Sequence, residues 1–64
     1  MEDTSLKIYE VSVLLYENTD THEHAINHNL TVVSRSKEAV RRQVFEFASA
    51  GLHCVYRFLS VEEM

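Results

Sequence analysis

The chain has 64 residues, a formal net charge of −4 and one cysteine, so we expect a single domain over residues 1–64 without an internal disulfide. Its longest apolar run is residues 13–16, and its first residues are acidic and polar, so we expect no membrane span, no secretion signal and a soluble, cytoplasmic protein. Residues 1–32 carry six acids and one base, a balance that disfavours direct binding to nucleic acid and favours a basic protein partner.

Two strands are predicted around a polar loop. In residues 6–16 apolar and polar side chains alternate, which is the period of a strand. Residues 17–23 contain turn-forming Asn, Thr and Asp and predict an exposed, mobile hairpin loop. The alternation returns over residues 26–34 with many β-branched side chains, and it predicts the second strand.

A helix is predicted over residues 37–50. Ser36 is a suitable N-cap, Glu38 suits the first turn, and Gly51 is a suitable residue for the C-terminal end. The helical spacing places one apolar face toward the sheet, formed by Val40, Val44, Phe47 and Ala48.

The third strand is predicted over residues 52–61. Strict alternation would place Leu52, Cys54, Tyr56 and Phe58 on one side and His53, Val55, Arg57, Leu59 and Val61 on the other. The order strand, strand, helix, strand predicts an α+β fold, a three-stranded antiparallel sheet with one helix packed on one face.

Apolar residues are predicted on both faces of this sheet, although one helix covers only one face. The residues expected on the second face are Ile8, Leu14, Tyr16, Val33, Val55, Leu59 and Val61. An exposed apolar face commonly marks an interface, so we expect a homodimer that joins sheet to sheet or edge to edge.

Phe45 lies away from the centre of the helix's apolar face, next to Arg41, Arg42 and Ser49 on the helical wheel. We therefore expect its ring to be partly exposed. Two interpretations stay open: Phe45 packs at the rim of the core or in a dimer seam, or it is an aromatic anchor that enters a pocket of a partner.

Residues 22–28 contain three histidines, and together with Cys54 and Gly51 they are the side chains and backbone positions in this chain suited to chemistry. His22, His24 and His28 are open to three interpretations, solvated loop residues, a pH-sensitive contact or a metal site, and their irregular spacing favours the first. Cys54 is expected to be a buried, inert thiol, with His53 on the opposite face. One glycine cannot build a phosphate loop, and we predict neither an enzyme nor a site for a metal or cofactor.

Five acidic residues are candidates for one negative surface: Glu17, Asp20, Glu23, Glu62 and Glu63. The charge either serves solubility alone or imitates the phosphates of DNA and steers a basic DNA-binding protein.

The segment from Tyr9 to Leu15, followed by the acidic loop, resembles the first strand and turn of the small uracil-DNA glycosylase inhibitors of certain Bacillus phages. The order of elements and the pair Phe45-Glu46 on the helix are similar as well, over about residues 8–61. The resemblance implies a homodimeric DNA mimic that occupies the DNA groove of the host enzyme, in the host cytoplasm.

Through this resemblance Phe45 is implied in an apolar pocket that traps a side chain of the enzyme, with Glu46 as a polar contact at its edge. Arg42, Ser49 and Glu23 complete the predicted partner-binding set. The family has a tyrosine one turn after its phenylalanine, whereas this chain has Ser49, so one wall of the pocket is altered.

The alternative function is a small phage or ribosome-associated module that binds a different protein. Its pattern, a Ser-x-Glu-Ala-Val helix start and a final Val-Glu-Glu, is met by residues 36–40 and 61–63. A ribosomal role would require a basic RNA-contacting face, which the acidic first half of the chain disfavours.

Overall fold

The computed structural model describes residues 5–64, so the first four residues of the predicted domain lie outside the described part. Its elements are β1 (Lys7–Glu17), a 3₁₀ turn (His22–His24), β2 (Ile26–Ser34), α1 (Lys37–Ala50) and β3 (His53–Glu63). The sheet order is β2-β1-β3 with both pairs antiparallel. The predicted α+β fold is confirmed. β2 and α1 have the predicted bounds, whereas β1 and β3 differ from prediction by one or two residues.

The core lies between the central strand and the helix. One face of β1 is buried along its length by the alternation of apolar residues, and α1 supplies the opposing side chains. α1 begins at Ser36, whose Oγ accepts a hydrogen bond from the Ala39 N–H at 3.2 Å. The buried residues are Tyr9, Val11, Val13 and Leu15 of β1 and Val40, Val44 and Ala48 of α1.

α1 ends just before Gly51 as predicted, although the left-handed residue of this turn is not the glycine. Gly51 follows the last helical residue with an ordinary negative φ of −92°. Leu52 takes the left-handed conformation instead, with a φ of 59°. Its carbonyl accepts the Asn18 N–H at 3.0 Å, which joins the β1–β2 loop to the α1–β3 turn. A leucine therefore occupies a conformation that glycine or asparagine adopts at lower cost.

β3 departs from the strict alternation predicted for it. The register between β1 and β3 shifts twice, so that Tyr56 and Leu59 are the extra residues of two bulges. The bulges turn Val55, Phe58 and Val61 toward the core at intervals of three residues. The prediction that Val55 and Val61 share the second face was therefore wrong.

The open face of the sheet, opposite α1, is consequently more polar than predicted. Its middle carries side-chain hydrogen bonds, from Asn27 Nδ2 to Ser12 Oγ at 2.7 Å and from Thr31 Oγ1 to Glu10 Oε1 at 3.0 Å. Apolar residues are found toward its two ends, Ile8 and Val33 at one and Leu14 and Tyr16 at the other. This face no longer supplies the broad apolar surface on which the sheet-to-sheet dimer was predicted.

α1 lies closer to β3 than to β2. Phe47, which was predicted on the core face, is 59% exposed because the inner face of β2 beneath it is left partly uncovered. Within residues 5–64 no helix has the length and apolar character needed to cross a membrane.

Candidate functional site

Four of the five predicted partner-binding residues form one stripe on the exposed side of α1. Arg42, Phe45, Glu46 and Ser49 are spaced i, i+3, i+4 and i+7, which places them on one helical face, and all four are exposed. We call this set the helix stripe. It combines one aromatic ring, one cation, one anion and one hydroxyl.

Phe45 is held in position although it is 53% exposed. Its ring meets that of Phe58 on β3 edge to face, with centroids 5.8 Å apart and planes at 68°. Such pairs are stabilising, and they restrict the ring before any partner arrives. Phe45 therefore packs at the rim of the core, as the first interpretation holds, and about half of its surface stays exposed.

Glu23, the fifth predicted residue, belongs to a different element. It lies in the 3₁₀ turn between β1 and β2 and is exposed, separated from the helix stripe in the fold. The turn is ordered by contacts of its neighbours. His24 Nδ1 and Asp20 Oδ1 are 2.7 Å apart, and the His22 ring stacks on Tyr56 with centroids 4.9 Å apart.

Asp20 is stabilised in its ionised form. The hydrogen bond with His24, a second bond from the Thr21 N–H at 2.7 Å and the nearby imidazole charge lower the pKa of Asp20 below its ordinary value. The negative charge at this end of the sheet therefore persists into acid.

The five acidic candidates do not form one continuous surface. Glu17, Asp20 and Glu23 lie at the loop end of the sheet, whereas Glu62 and Glu63 pair with Glu10 and Tyr9 near the start of β1. Seven residue steps along β1, from Glu10 to Glu17, separate the two groups, about 23 Å at 3.3 Å per residue. At the second end Glu10 and Glu62 are direct cross-strand neighbours, a like-charge pair.

Cys54 lies on the open face of the sheet opposite Tyr16 and is only partly buried, so its predicted burial beside Phe58 was wrong. The electrostatic influence of Cys54, followed by burial and a hydrogen bond with the Cys54 side chain, raises the pKa of Tyr16. The described residues contain no group of three His, Cys, Asp or Glu side chains arranged to hold a metal ion.

A second surface was not predicted from the sequence. A groove runs between α1 and β2, lined by Leu30, Val32, Val44 and Phe47. We call it the α1–β2 groove. Toward the loop end it continues past Leu15, His28 and His53. The sequence has more apolar residues on the facing sides of β2 and α1, Phe47 included, than one helix can cover. This excess is the signal that could have predicted the groove.

Comparisons with protein-family models, with curated proteins and with solved structures give no match to this chain.

Proposed function

We propose that this protein acts by binding another protein, and that its target is a uracil-DNA glycosylase whose DNA groove it occupies as a DNA mimic. The observation that carries the proposal is the half-exposed ring of Phe45, fixed against Phe58 in the middle of the helix stripe. Aromatic residues are enriched in protein interfaces, and hot spots fill well-packed pockets surrounded by contacts that exclude water.

Phe58 supplies a second aromatic ring where the altered pocket wall lacks one. The resemblance places a second aromatic residue one turn after Phe45, where this chain has Ser49. Here the second ring beside Phe45 comes from β3. We propose that Phe45 and Phe58 together form the apolar contact for a side chain of the glycosylase, with Glu46 and Arg42 as polar contacts at its edge.

Charge supports the same proposal. The acids lie in two groups along a molecule of 45 × 19 × 13 Å, with Glu23 in one group and Glu62 in the other. Spaced negative charges on an elongated body suit a groove that binds the phosphates of DNA, and they would steer a basic partner into place. In this proposal the protein has no catalytic role and works in the cytoplasm of the host, where the target repairs DNA.

The test is uracil excision from a labelled duplex by a bacterial glycosylase, with and without the protein. We expect inhibition that is relieved by excess enzyme, as for a stoichiometric inhibitor. Absence of inhibition by the wild-type chain would contradict the glycosylase as target.

Capture from bacterial lysate separates this proposal from the alternative module. Wild-type protein and a Phe45→Ala variant are immobilised side by side, and bound proteins are identified by mass. The proposal is supported if the wild-type protein retains the glycosylase and the Phe45→Ala variant does not. A different protein with the same dependence on Phe45 favours the alternative partner.

A further inference from the structure

β2 is an edge strand that lacks the usual protection of edges. Of the described residues, only those of β1 pair with it. Its nine residues contain no Asp, Glu, Lys, Arg or proline, with His28 as the one titratable side chain, and the β1–β2 register is free of bulges. The opposite edge, β3, has two bulges and the charged residues Arg57, Glu62 and Glu63. Proteins block edges with such features, and a long regular edge without them is a template for another strand.

One hydrogen bond defines which residues of β2 face outward. Gln43 Nε2 donates to the Val33 carbonyl at 3.3 Å, from outside the sheet. The N–H and C=O of a strand residue point to the same side and alternate along the chain. Asn27, Asn29 and Thr31 therefore direct their backbone groups to the free edge.

The inner face of β2 gives this edge an apolar side. Ile26 is 66% exposed, and Leu30 and Val32 line the α1–β2 groove together with Phe47. An additional strand beside β2 would extend the floor of the groove and cover these side chains.

Charges at the two ends of β2 indicate the occupant. Asp20 and Glu23 precede the strand, whereas Arg35 and Lys37 follow it. An antiparallel copy of β2 sets the acidic end of one chain beside the basic end of the other, twice by symmetry. A parallel copy would set like charges together.

We propose that two copies of this chain pair antiparallel through β2, with a two-fold axis at Asn29, to form one six-stranded sheet. In this register Asn29 exchanges both backbone hydrogen bonds with Asn29 of the second copy, and Asn27 does so with Thr31. Ile26 lies opposite Val32 on the inner face, and the turn that carries Glu23 lies at the same end of the contact as Arg35 of the second copy. The isologous contact closes on itself and leaves both bulged β3 edges outermost.

The area required is within reach of a chain this small. A stable interface buries about 800 Å² of each partner, about one-sixth of the accessible surface of 4793 Å². β2, the α1–β2 groove and the charged segments at both ends of β2 extend along the whole length of the sheet.

Sedimentation equilibrium and amide exchange of the chain alone test the proposal. We expect a dimer, with slow exchange at Asn27, Asn29 and Thr31 that becomes fast on dilution, because those amides face the free edge of the monomer. Asn29→Lys places two cations at the axis on an exposed side chain, so it should weaken the dimer by about tenfold or more, equal to about 1.4 kcal/mol.

Ser60→Lys is the matched control, since it adds the same charge to the open face of β3 and should leave the dimer unchanged. Glu23→Arg and Arg35→Glu should each weaken the dimer, and the double variant should restore it. A monomeric mass up to about 1 mM chain, or a dimer indifferent to Asn29→Lys, would overturn the proposal. Neither measurement uses the glycosylase. A failure to inhibit the glycosylase would therefore contradict the proposed function and would not affect the test of the dimer.

Discussion

The ring of Phe45 on α1 contacts the ring of Phe58 on β3 edge to face, at 5.8 Å, while half of its surface stays accessible. The contact is made at the rim of the core and not in its centre. An aromatic side chain in this position can be removed at little cost to the fold, and its exposed half remains available to a partner.

Phe45→Ala should therefore separate binding from stability. The loss of the aromatic pair costs about 0.5–1.5 kcal/mol of unfolding free energy in addition to the lost burial of a half-exposed ring, whereas truncating an interface anchor costs about 2 kcal/mol or more of binding. We expect inhibition of the glycosylase to weaken by roughly thirtyfold. Urea unfolding and uracil excision measure the two effects on the same protein preparations.

Two variants of the same helix serve as controls. Val44→Ala removes methyl groups from a fully buried side chain, so it should lower the unfolding free energy by about 2 kcal/mol and leave inhibition per folded molecule unchanged. Phe47→Ala removes a similarly exposed ring that lines the α1–β2 groove. It should weaken the proposed β2–β2 dimer and leave the heat released per chain on binding the glycosylase unchanged. Unfolding caused by Phe45→Ala would contradict the rim position.

The residues that the sequence located correctly are those governed by local chemistry. Ser36 caps α1, and the alternation of β1 places Tyr9 and Val13 in the core. The errors came from long-range packing. No local sequence pattern predicts the bulges at Tyr56 and Leu59, because they depend on how β3 fits the twist of β1.

The candidate site was predictable to a similar degree. The helical wheel placed Phe45 beside Arg42 and Ser49, away from the core face, because helix geometry alone fixes that relation. A wheel cannot show the displacement of α1 toward β3, which exposes Phe47 and opens the α1–β2 groove. Glu23 was grouped with the helix through charge alone, and its position depended on the tertiary fold.

Leu52 provides a test of backbone strain. Its side chain is exposed and contributes little packing energy, whereas its φ of 59° costs conformational free energy for a residue with a Cβ atom. Leu52→Asn should raise the unfolding free energy by about 0.5–1 kcal/mol, because asparagine tolerates this region better. Leu59→Asn, at a similarly exposed leucine with negative φ, should bring no such gain in thermal or urea unfolding. Equal effects of the two variants would show that side-chain polarity, and not the backbone, is responsible.

Asp20 should make the loop end of the sheet sensitive to acid. Its pKa is lowered in the folded state, so the unfolded chain binds more protons as the pH falls and stability is lost in that direction. The contribution is complete above the ordinary carboxyl pKa of 3.8 and disappears as the pH falls through the lowered value. Carboxyl titration by NMR measures the shift directly. His24→Ala should return the pKa of Asp20 most of the way to the ordinary value, and an unshifted carboxyl in the wild type would contradict the hydrogen bond.

The rate of association with the glycosylase should fall as salt rises. If the separated acidic groups around Glu23 and Glu62 steer a basic target, their field is screened beyond about 8 Å at physiological ionic strength and about 3 Å at 1 M. We expect the on-rate to drop about tenfold across that range while the off-rate changes little, because steering acts before contact. Stopped-flow measurement should show a shallower salt dependence for Glu23→Gln, whereas Ser60→Ala, an uncharged change on the open face, should match the wild type. An on-rate indifferent to salt would leave the aromatic contact of Phe45 as the basis of binding and remove the electrostatic argument for DNA mimicry.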